Sequence, residues 1–561
     1  MKRRLLLIAL AMLTLMPIVS CSRSGQGAVS GSDESPNETS GTAVTTDGGS
    51  ETTSGGDEAT KMISWISNGY DKIIANGDVP ENGSNAYTVY MAKGESEGCQ
   101  ISLRSSDDMN GLTVELSVPE ELTASASVEK TQRIEGKRWP DGLLPLDKVK
   151  KFDLAGGITT TVYIKISSTA DTKPGDHKCA VKVLDGNGEA VAAAEITVHV
   201  WDFALDDGFA IESWIDIRME SLAKEYGFGD LRAGALPEEE MEKLREIYKL
   251  YYDMLLDYGI CGGDLPYDIL DDRADEYLND PRVKRFSIGQ GEVDEETLRA
   301  RYNKIKDNPV WLSKAIYYVL DEPTTRAMLD ELASRSAKVR EIAPGVKTIS
   351  AFYENVSYDG TTDATSFLQT QLDIIVPKLC LFERVGGLES YRRRFQDYKA
   401  AGNMLYTYVC WEPGKPFLNV FVNEEGIDHR ALFWQIYDSG SDGFLYWAAN
   451  QWYDLDVNPW NSMQTVPWLT RDIYGDGSFM YPGNKFGFDD PCSSLRLEAV
   501  RDGLEDNTLL RMAKKHLSNS WLDKEIDKVT KSPVISTTDS GVFDTARINI
   551  GNALEKALSG K

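Results

Sequence analysis

Ala315-Ile316-Tyr317-Tyr318-Val319-Leu320-Asp321-Glu322-Pro323 is a short apolar run that ends in two acids and a proline. Such a run, rich in aromatic and β-branched residues and bounded by turn signals, reads as a buried strand. Seven further candidates of the same kind begin near Ala210 (AIESWI), Gly259 (GICGG), Arg285 (RFSIG), Thr348 (TISAFY), Leu372 (LDIIVP), Met404 (MLYTYV) and Gly443 (GFLYWA). Helical patterns separate them. Pro237 with Glu238, Glu239 and Glu240 is a helix start, because proline suits the first turn and acids suit the dipole. Met241, Leu244, Ile247, Tyr248, Tyr251, Met254 and Leu255 then line one face at helical spacing, and Gly259 ends the run. Others fall at 294–306, 325–342, 388–401 and 427–438. Eight alternations over 207–520 predict an α/β fold, a (β/α)8 TIM-like barrel.

A barrel of this type does its chemistry at the carboxyl ends of its strands. Strand four ends in Asp321 and Glu322. Pro323 forbids a continued ladder and is expected to bias Glu322 towards an extended conformation. Two like charges side by side do not both ionise easily, so one carboxyl is expected to hold its proton. That is what protonating a glycosidic oxygen needs. The plainer alternative is an acid pair that favours the dipole of the helix starting near Thr325; the strand-end position favours chemistry. Strand seven runs into Trp411 and Glu412, and strand eight into Tyr446, Trp447, Asn450 and Trp452. Indole and phenol faces pack on the apolar faces of sugar rings. Trp214 and Glu212 on strand one, Tyr353 after strand five and Tyr406 on strand seven are further candidates for the same rim, and Glu412 is a candidate second carboxylate.

Before the barrel, residues 61–206 follow a period of two. Ala86–Met91, Cys99–Leu103, Leu112–Val118, Thr159–Ile166, Cys179–Leu184 and Ala194–Val200 are candidate strands, and Asp185-Gly186-Asn187-Gly188 is a hairpin signal. This predicts an all-β sandwich, read as a support rather than a sugar-binding module. Residues 22–60 are rich in Ser, Gly, Thr and Asp and hold almost nothing apolar, so they are expected to form a flexible tether. Residues 1–21 carry Lys2, Arg3 and Arg4, then the apolar stretch Leu5–Leu15, then Ile18-Val19-Ser20-Cys21. The order is that of a signal peptide closing in a bacterial lipobox. It predicts lipidation of Cys21, a membrane anchor and an extracytoplasmic, cell-surface location. Residues 521–561 are expected to be a helical extension.

The whole chain balances 60 Lys and Arg against 88 Asp and Glu, for a net charge of −28, which repels nucleic acid. The 4 histidines, His177, His199, His429 and His516, have no metal-ligand spacing, and the cysteines form no CxxC pair. No metal and no cofactor is expected.

Taken in order, several motifs carry a family resemblance. They are Val319–Pro323, Phe433-Trp434-Gln435, Asp442–Trp447, Tyr481-Pro482-Gly483, Ser494–Glu498 and Arg501–Asp506. Together they resemble the glycoside hydrolase family 123 catalytic domain and the uncharacterised domains grouped with it, over about 209–516. The preceding β-rich part resembles the amino-terminal module of the same proteins. The resemblance implies an exo-acting β-N-acetylgalactosaminidase in which the sugar's own acetamido oxygen attacks the anomeric carbon. It implies that Asp321 orients the acetamido group and Glu322 is acid, then base. A tyrosine hydroxyl completes such a site, and the sequence leaves open whether Tyr353, Tyr406 or Tyr446 supplies it. Two rival readings stand beside it. One is a two-carboxylate retaining glycosidase with Glu322 as acid/base and Glu412 as nucleophile. The other is a non-catalytic glycan-binding lipoprotein.

Overall fold

The computed structural model describes residues 62–205, 209–452, 458–464 and 473–560. The signal segment, Cys21 and the tether lie outside the described residues. Thr60–Lys561 forms one compact unit.

Its amino-terminal region is all β, as the period-two patterning predicts. One five-stranded antiparallel sheet contains Met62–Asn68, Ser96–Ser105, Thr160–Ser167, Thr123–Ile134 and Lys137–Pro145, in that spatial order. A second five-stranded sheet, mixed because its first two strands pair parallel, runs Ala86–Lys93, Ala190–Ala204, Gly175–Leu184, Met109–Ser117 and Phe152–Leu154. Ile101, Leu103, Val162 and Ile164 of the first share a buried core with Val181, Val183, Val198 and Val200 of the second. Alternate side chains point to opposite faces of a strand, so each strand offers one apolar face to that core.

The following region is mixed α/β, built on a curled seven-stranded parallel sheet. The spatial order is Glu212–Ile215, Gly443–Tyr446, Met404–Tyr408, Ile374–Pro377, Lys347–Phe352, Ala315–Tyr318 and Phe286–Gln290. Seven of the eight expected strands are therefore present. The exception is the glycine-rich segment near Gly259, which has no side chain to pack at Gly259, Gly262 or Gly263 and forms no strand. It still bonds both sheet edges. Ile215 N–H donates to Cys261 O (2.9 Å), Cys261 N–H to Ser213 O (3.0 Å), and Ser287 N–H to Gly263 O (2.7 Å).

Helices Glu238–Asp257, Glu295–Ile305, Arg326–Ile342 and Gly426–Asp438 fall where the periodicity places them. The expected helix at 388–401 is two short ones, Leu388–Arg393 and Gln396–Ala400. The carboxyl-terminal helices are Leu495–His516, Asn519–Val529 and Ser540–Ser559, the last two within the expected helical extension apart from the first residues of Asn519–Val529.

Buried ion pairs join these helices to the amino-terminal sheets. Arg430 forks onto Glu97 (2.6 and 3.0 Å) and Asp506 (2.8 and 2.9 Å). Arg547 bonds Asp506 (2.6 Å), Glu97 (2.8 Å) and Glu95. Glu95, Glu97 and Asp506 lie close enough together to suggest a metal site, but the two guanidiniums already neutralise them. Arg496 forks onto Asp141 (2.8 and 2.8 Å), which also accepts from Tyr481 OH (2.6 Å). Arg496, Arg501, Asp502 and Asp506 belong to the motifs that carry the family resemblance. Their work is holding the frame together.

Candidate active site

The carboxyl ends of the parallel strands surround a cavity of about 620 Å³. Trp214, Asp216, Tyr318, Asp321, Glu322, Tyr408, Trp411, Tyr446, Trp447 and Asp476 line it. The two acids singled out in the sequence therefore face one recess, at the end of the Ala315–Tyr318 strand.

The backbone at Glu322 is not extended. Its φ is +42°, in the left-handed region that residues with a Cβ rarely adopt. This corrects the expectation drawn from Pro323. Glu322 N–H donates to Ala351 O (3.1 Å) on the neighbouring strand, so the chain turns at Glu322 while still tied to the sheet. Strain of this kind persists only where the surroundings enforce it, and it collects at functional sites.

Each acid is held by a tyrosine. Tyr318 OH donates to Asp321 Oδ1 (2.7 Å), and Tyr408 OH donates to Glu322 Oε1. Lys378, itself only 4% exposed, places its Nζ 3.8 Å from Glu322 Oε1. The ammonium sits 4.6 Å from the Tyr353 ring centre, 5.4 Å from Tyr408 and 5.9 Å from Trp411. Aromatic faces stabilise a desolvated cation. Glu322 opens to the cavity over 32% of its side chain. Its carboxyl is nevertheless raised above the ordinary range, chiefly by burial. Lys378 and the Tyr408 bond lower it, while Asp321 and Glu412 raise it further. The expected direction holds, but burial outweighs the repulsion from Asp321.

The far wall carries a second polar group. Trp447 Nε1 (3.0 Å) and Tyr446 OH (2.9 Å) both donate to Asp476 Oδ1. Asp476 Oδ2 is buried and has no protein partner. Burial pushes the Asp476 carboxyl up to about 6. Trp214 Nε1 and Gly263 N–H (3.1 Å) donate to Asp216 Oδ1. Arg218 donates to Trp447 O (2.5 Å) and stacks 5.6 Å from its ring.

Of the candidates, Trp214, Trp411, Tyr446 and Trp447 join the two acids on the cavity wall. The others are placed differently. Tyr406 is buried below the site, its OH on Glu212, which Arg285 grips at 2.6 and 3.0 Å. Glu212 and Tyr406 pair with Gly443 at the amino-terminal end of the sheet, so neither reaches the rim. Tyr353 flanks Lys378, and Glu412 lies close enough to influence Glu322, but neither lines the cavity. Asn450 is buried, bonding the backbone N–H (2.7 Å) and C=O (3.1 Å) of Arg218. Trp452 is core, edge-on to Tyr251.

The tyrosines that hold the acids are Tyr318 and Tyr408, which the sequence reading passed over. Their signal was the two-residue period: Tyr406, Tyr408 and Cys410 share one face of their strand. Lys378, directly after Ile374–Pro377, and Asp476 were also missed.

The glycoside hydrolase 123 catalytic domain model matches residues 292–513. No curated protein matches the chain. Among solved structures, the chain is similar in fold to a family 123 glycoside hydrolase from Clostridium perfringens described in terms of glycolipid glycan hydrolysis. The TM-score is 0.66 at 13% identity, over 89% of this chain and 98% of that one. A GH2 β-galacturonidase from Eisenbergiella tayi has a TM-score of 0.31 at 11% identity, over 79% of this chain and 71% of that one, too loose an overlay to carry an argument. The Trp214 and Asp216 side of the cavity precedes the matched residues, while Asp321, Glu322, Tyr408, Trp447 and Asp476 lie inside them. Residues 292–513 are thus similar to the catalytic domain of glycoside hydrolase family 123, and that match supports glycosidase activity.

Proposed function

We propose that the chain is a retaining exo-β-N-acetylhexosaminidase, of the N-acetylgalactosaminidase type, that works by substrate assistance. The observation that carries the reading is the Asp321–Glu322 pair, each acid held by its own tyrosine on the wall of an aromatic-lined cavity. In the first step the acetamido oxygen attacks the anomeric carbon and the bond to the leaving oxygen breaks. Glu322, whose carboxyl burial raises above the ordinary range, gives its proton to that oxygen. Asp321, held by Tyr318, accepts the acetamido N–H and orients the group. In the second step Glu322, now ionised, takes a proton from the water that opens the cyclic intermediate. Trp411 and Trp447 offer ring faces for the sugar. The Clostridium perfringens enzyme's glycolipid glycan hydrolysis favours a glycan of that kind here.

The bonds from the 260–263 segment to both sheet edges support reading the curled sheet as a closed (β/α)8 barrel over 207–520, after a sandwich over 61–206. The rival nucleophile, Glu412, lies off the cavity wall, which favours assistance over a two-carboxylate scheme.

The test is a panel of aryl glycosides, N-acetylgalactosaminide and N-acetylglucosaminide among them, with a thiazoline inhibitor. Wild type is expected to release the aglycone and to be blocked by the thiazoline. Glu322→Gln is expected to lose about 10²–10⁴-fold in kcat on unactivated substrates. Undiminished turnover in Glu322→Gln, or full activity under thiazoline with loss in Glu412→Gln, overturns the proposal. The same proposal places the enzyme outside the cytoplasm on a lipid anchor at Cys21. Metabolic labelling with a fatty acid is expected to mark the wild type, and Cys21→Ala to release unlabelled protein from the membrane.

A further inference from the structure

A second cavity, of about 650 Å³, opens at the other end of the sheet. Its wall includes Glu212 at the start of the Glu212–Ile215 strand, Lys284 just before Phe286–Gln290, and Lys399 in the helix that precedes Met404–Tyr408. Arg511, Lys514 and Lys515 complete it from the helix Leu495–His516. Five cationic side chains thus line one recess of a chain whose net charge is −28.

Part of this has a local explanation. Lysines in the last turn of a helix complement its dipole, which accounts for Lys514 and Lys515 taken alone. The same holds for Lys399 in the last turn of its own short helix, but not for Lys284, which lies outside the helices, or for Arg511, in an earlier turn. The one carboxylate on the wall, Glu212, is already held by Arg285 and Tyr406. Lys399 bonds Asp442 (2.7 Å) and Gly440 O (2.6 Å). Lys284, Arg511 and Lys514 have no carboxylate within ion-pair distance among the described residues. Arg511 is fixed in place by Asn507 Oδ1 (2.8 Å) and Ser441 O (2.5 Å), both neutral. Burial holds its guanidinium below the usual value, with Asp442 and Tyr437 acting the other way. A cation held rigidly in a recess with no direct ion pair is one that an anion can engage, and a guanidinium fork suits a tetrahedral oxyanion.

We propose that this basic recess binds a phosphate or sulfate group, at a site separate from the catalytic cavity. The overall negative charge disfavours a long polyanion, which favours a single group or a small ester. Inorganic phosphate and a sulfated sugar or phosphorylated headgroup share this chemistry.

The experiment is calorimetric titration of the purified chain at fixed ionic strength with inorganic phosphate, inorganic sulfate and a sulfated N-acetylhexosamine. A flotation arm uses phosphatidylglycerol vesicles, with phosphatidylcholine vesicles as control. Saturable binding of the inorganic anions is expected, weakened by about ten-fold or more in Lys284→Glu/Lys514→Glu. Both positions are exposed, and aryl glycosidase activity in that variant is expected to stay at the wild-type level, which reports its folding. Glu322→Gln is expected to bind the anions like wild type, so failure of the catalytic reading leaves this one intact. Tighter binding of the sulfated sugar identifies a glycan ester as the source; flotation with phosphatidylglycerol that inorganic phosphate reverses identifies a lipid headgroup. No saturable binding of either inorganic anion, or equal binding in the charge-reversed variant, overturns the proposal.

Discussion

At the scale of single residues, the site is a problem in keeping one carboxyl protonated without losing control of it. Burial raises Glu322, and an acid left only to burial would be a poor base in the second half of a two-step reaction. Lys378 and Tyr408 act against burial, while Asp321 and Glu412 act with it. Lys378 is thus a positioning residue whose charge sets where the acid titrates. The sign is definite. Activity that needs protonated Glu322 falls as pH rises through its pKa, and removing Lys378 raises that pKa. Lys378→Met is therefore expected to move the basic limb of the kcat/KM profile upward by about one pH unit. Tyr408→Phe is expected to move it the same way. A pH series on an aryl glycoside measures both, and a fall in rate with an unmoved limb assigns Lys378 a packing role only. The acids themselves were legible in the sequence as a pair after an apolar run. Their tyrosines were not, because nothing local sets Tyr318 and Tyr408, the last residues of their strands, apart from the other strand aromatics.

At the scale of elements, the parallel strands are short, and much of their placement rests on side chains packing over bare backbone. The Tyr406 ring covers Gly443 on the adjacent strand so closely that a Cβ there would meet its ring atoms. Tyr406 in turn reaches Glu212 and Arg285 below the site. Gly443→Ala is expected to destabilise the fold by about 1–3 kcal/mol through overpacking, with a lower urea midpoint and an unchanged KM in the fraction that remains folded. An unaltered midpoint contradicts this account. Strand positions were legible because apolar runs bounded by turn residues have few other uses. The segment near Gly259 misled because its apolar character suggested a strand while its glycines supply neither side chains nor β propensity. The helix at 388–401 misled in a similar way: its pattern continues across a break at Arg394 and Phe395 that periodicity does not register.

At the scale of the whole molecule, the amino-terminal sheets and the carboxyl-terminal helices are bound into one unit by buried charge. Such networks contribute little net stability against an apolar equivalent but are costly to leave half-made. Some of the buried acids are not paired at all. Neither carboxyl oxygen of Glu129 has a protein partner, and burial pushes it up to about 8. Burial does the same to Glu424, also to about 8. A folded pKa above the unfolded one means that the folded state holds the extra proton. The stability these groups contribute is full below the unfolded value of 4.5 and is lost as pH rises towards 8. Each group costs up to about 1.4 kcal/mol per pH unit across that window. Glu129→Gln is expected to match wild type in urea at pH 5 and to exceed it at pH 9. Equal midpoints at both pH values contradict the assignment.

What the sequence determined by itself was local. Period-two and period-3.6 patterns drew the all-β region and the strand–helix alternation, and the acid pair after an apolar run marked the strand-end cavity. Apolar periodicity is a property of neighbouring residues, so it survives reading one residue at a time. The tertiary structure decided which groups meet. Tyr408 reaches Glu322 across 86 positions, Arg430 reaches Glu97 across 333, and the basic recess brings Lys284 together with Lys514, from the far end of the sheet-forming region. Contacts of that reach, and the charge balance they create, follow from how the sheet curls and the helices close over it. No local pattern carries that information.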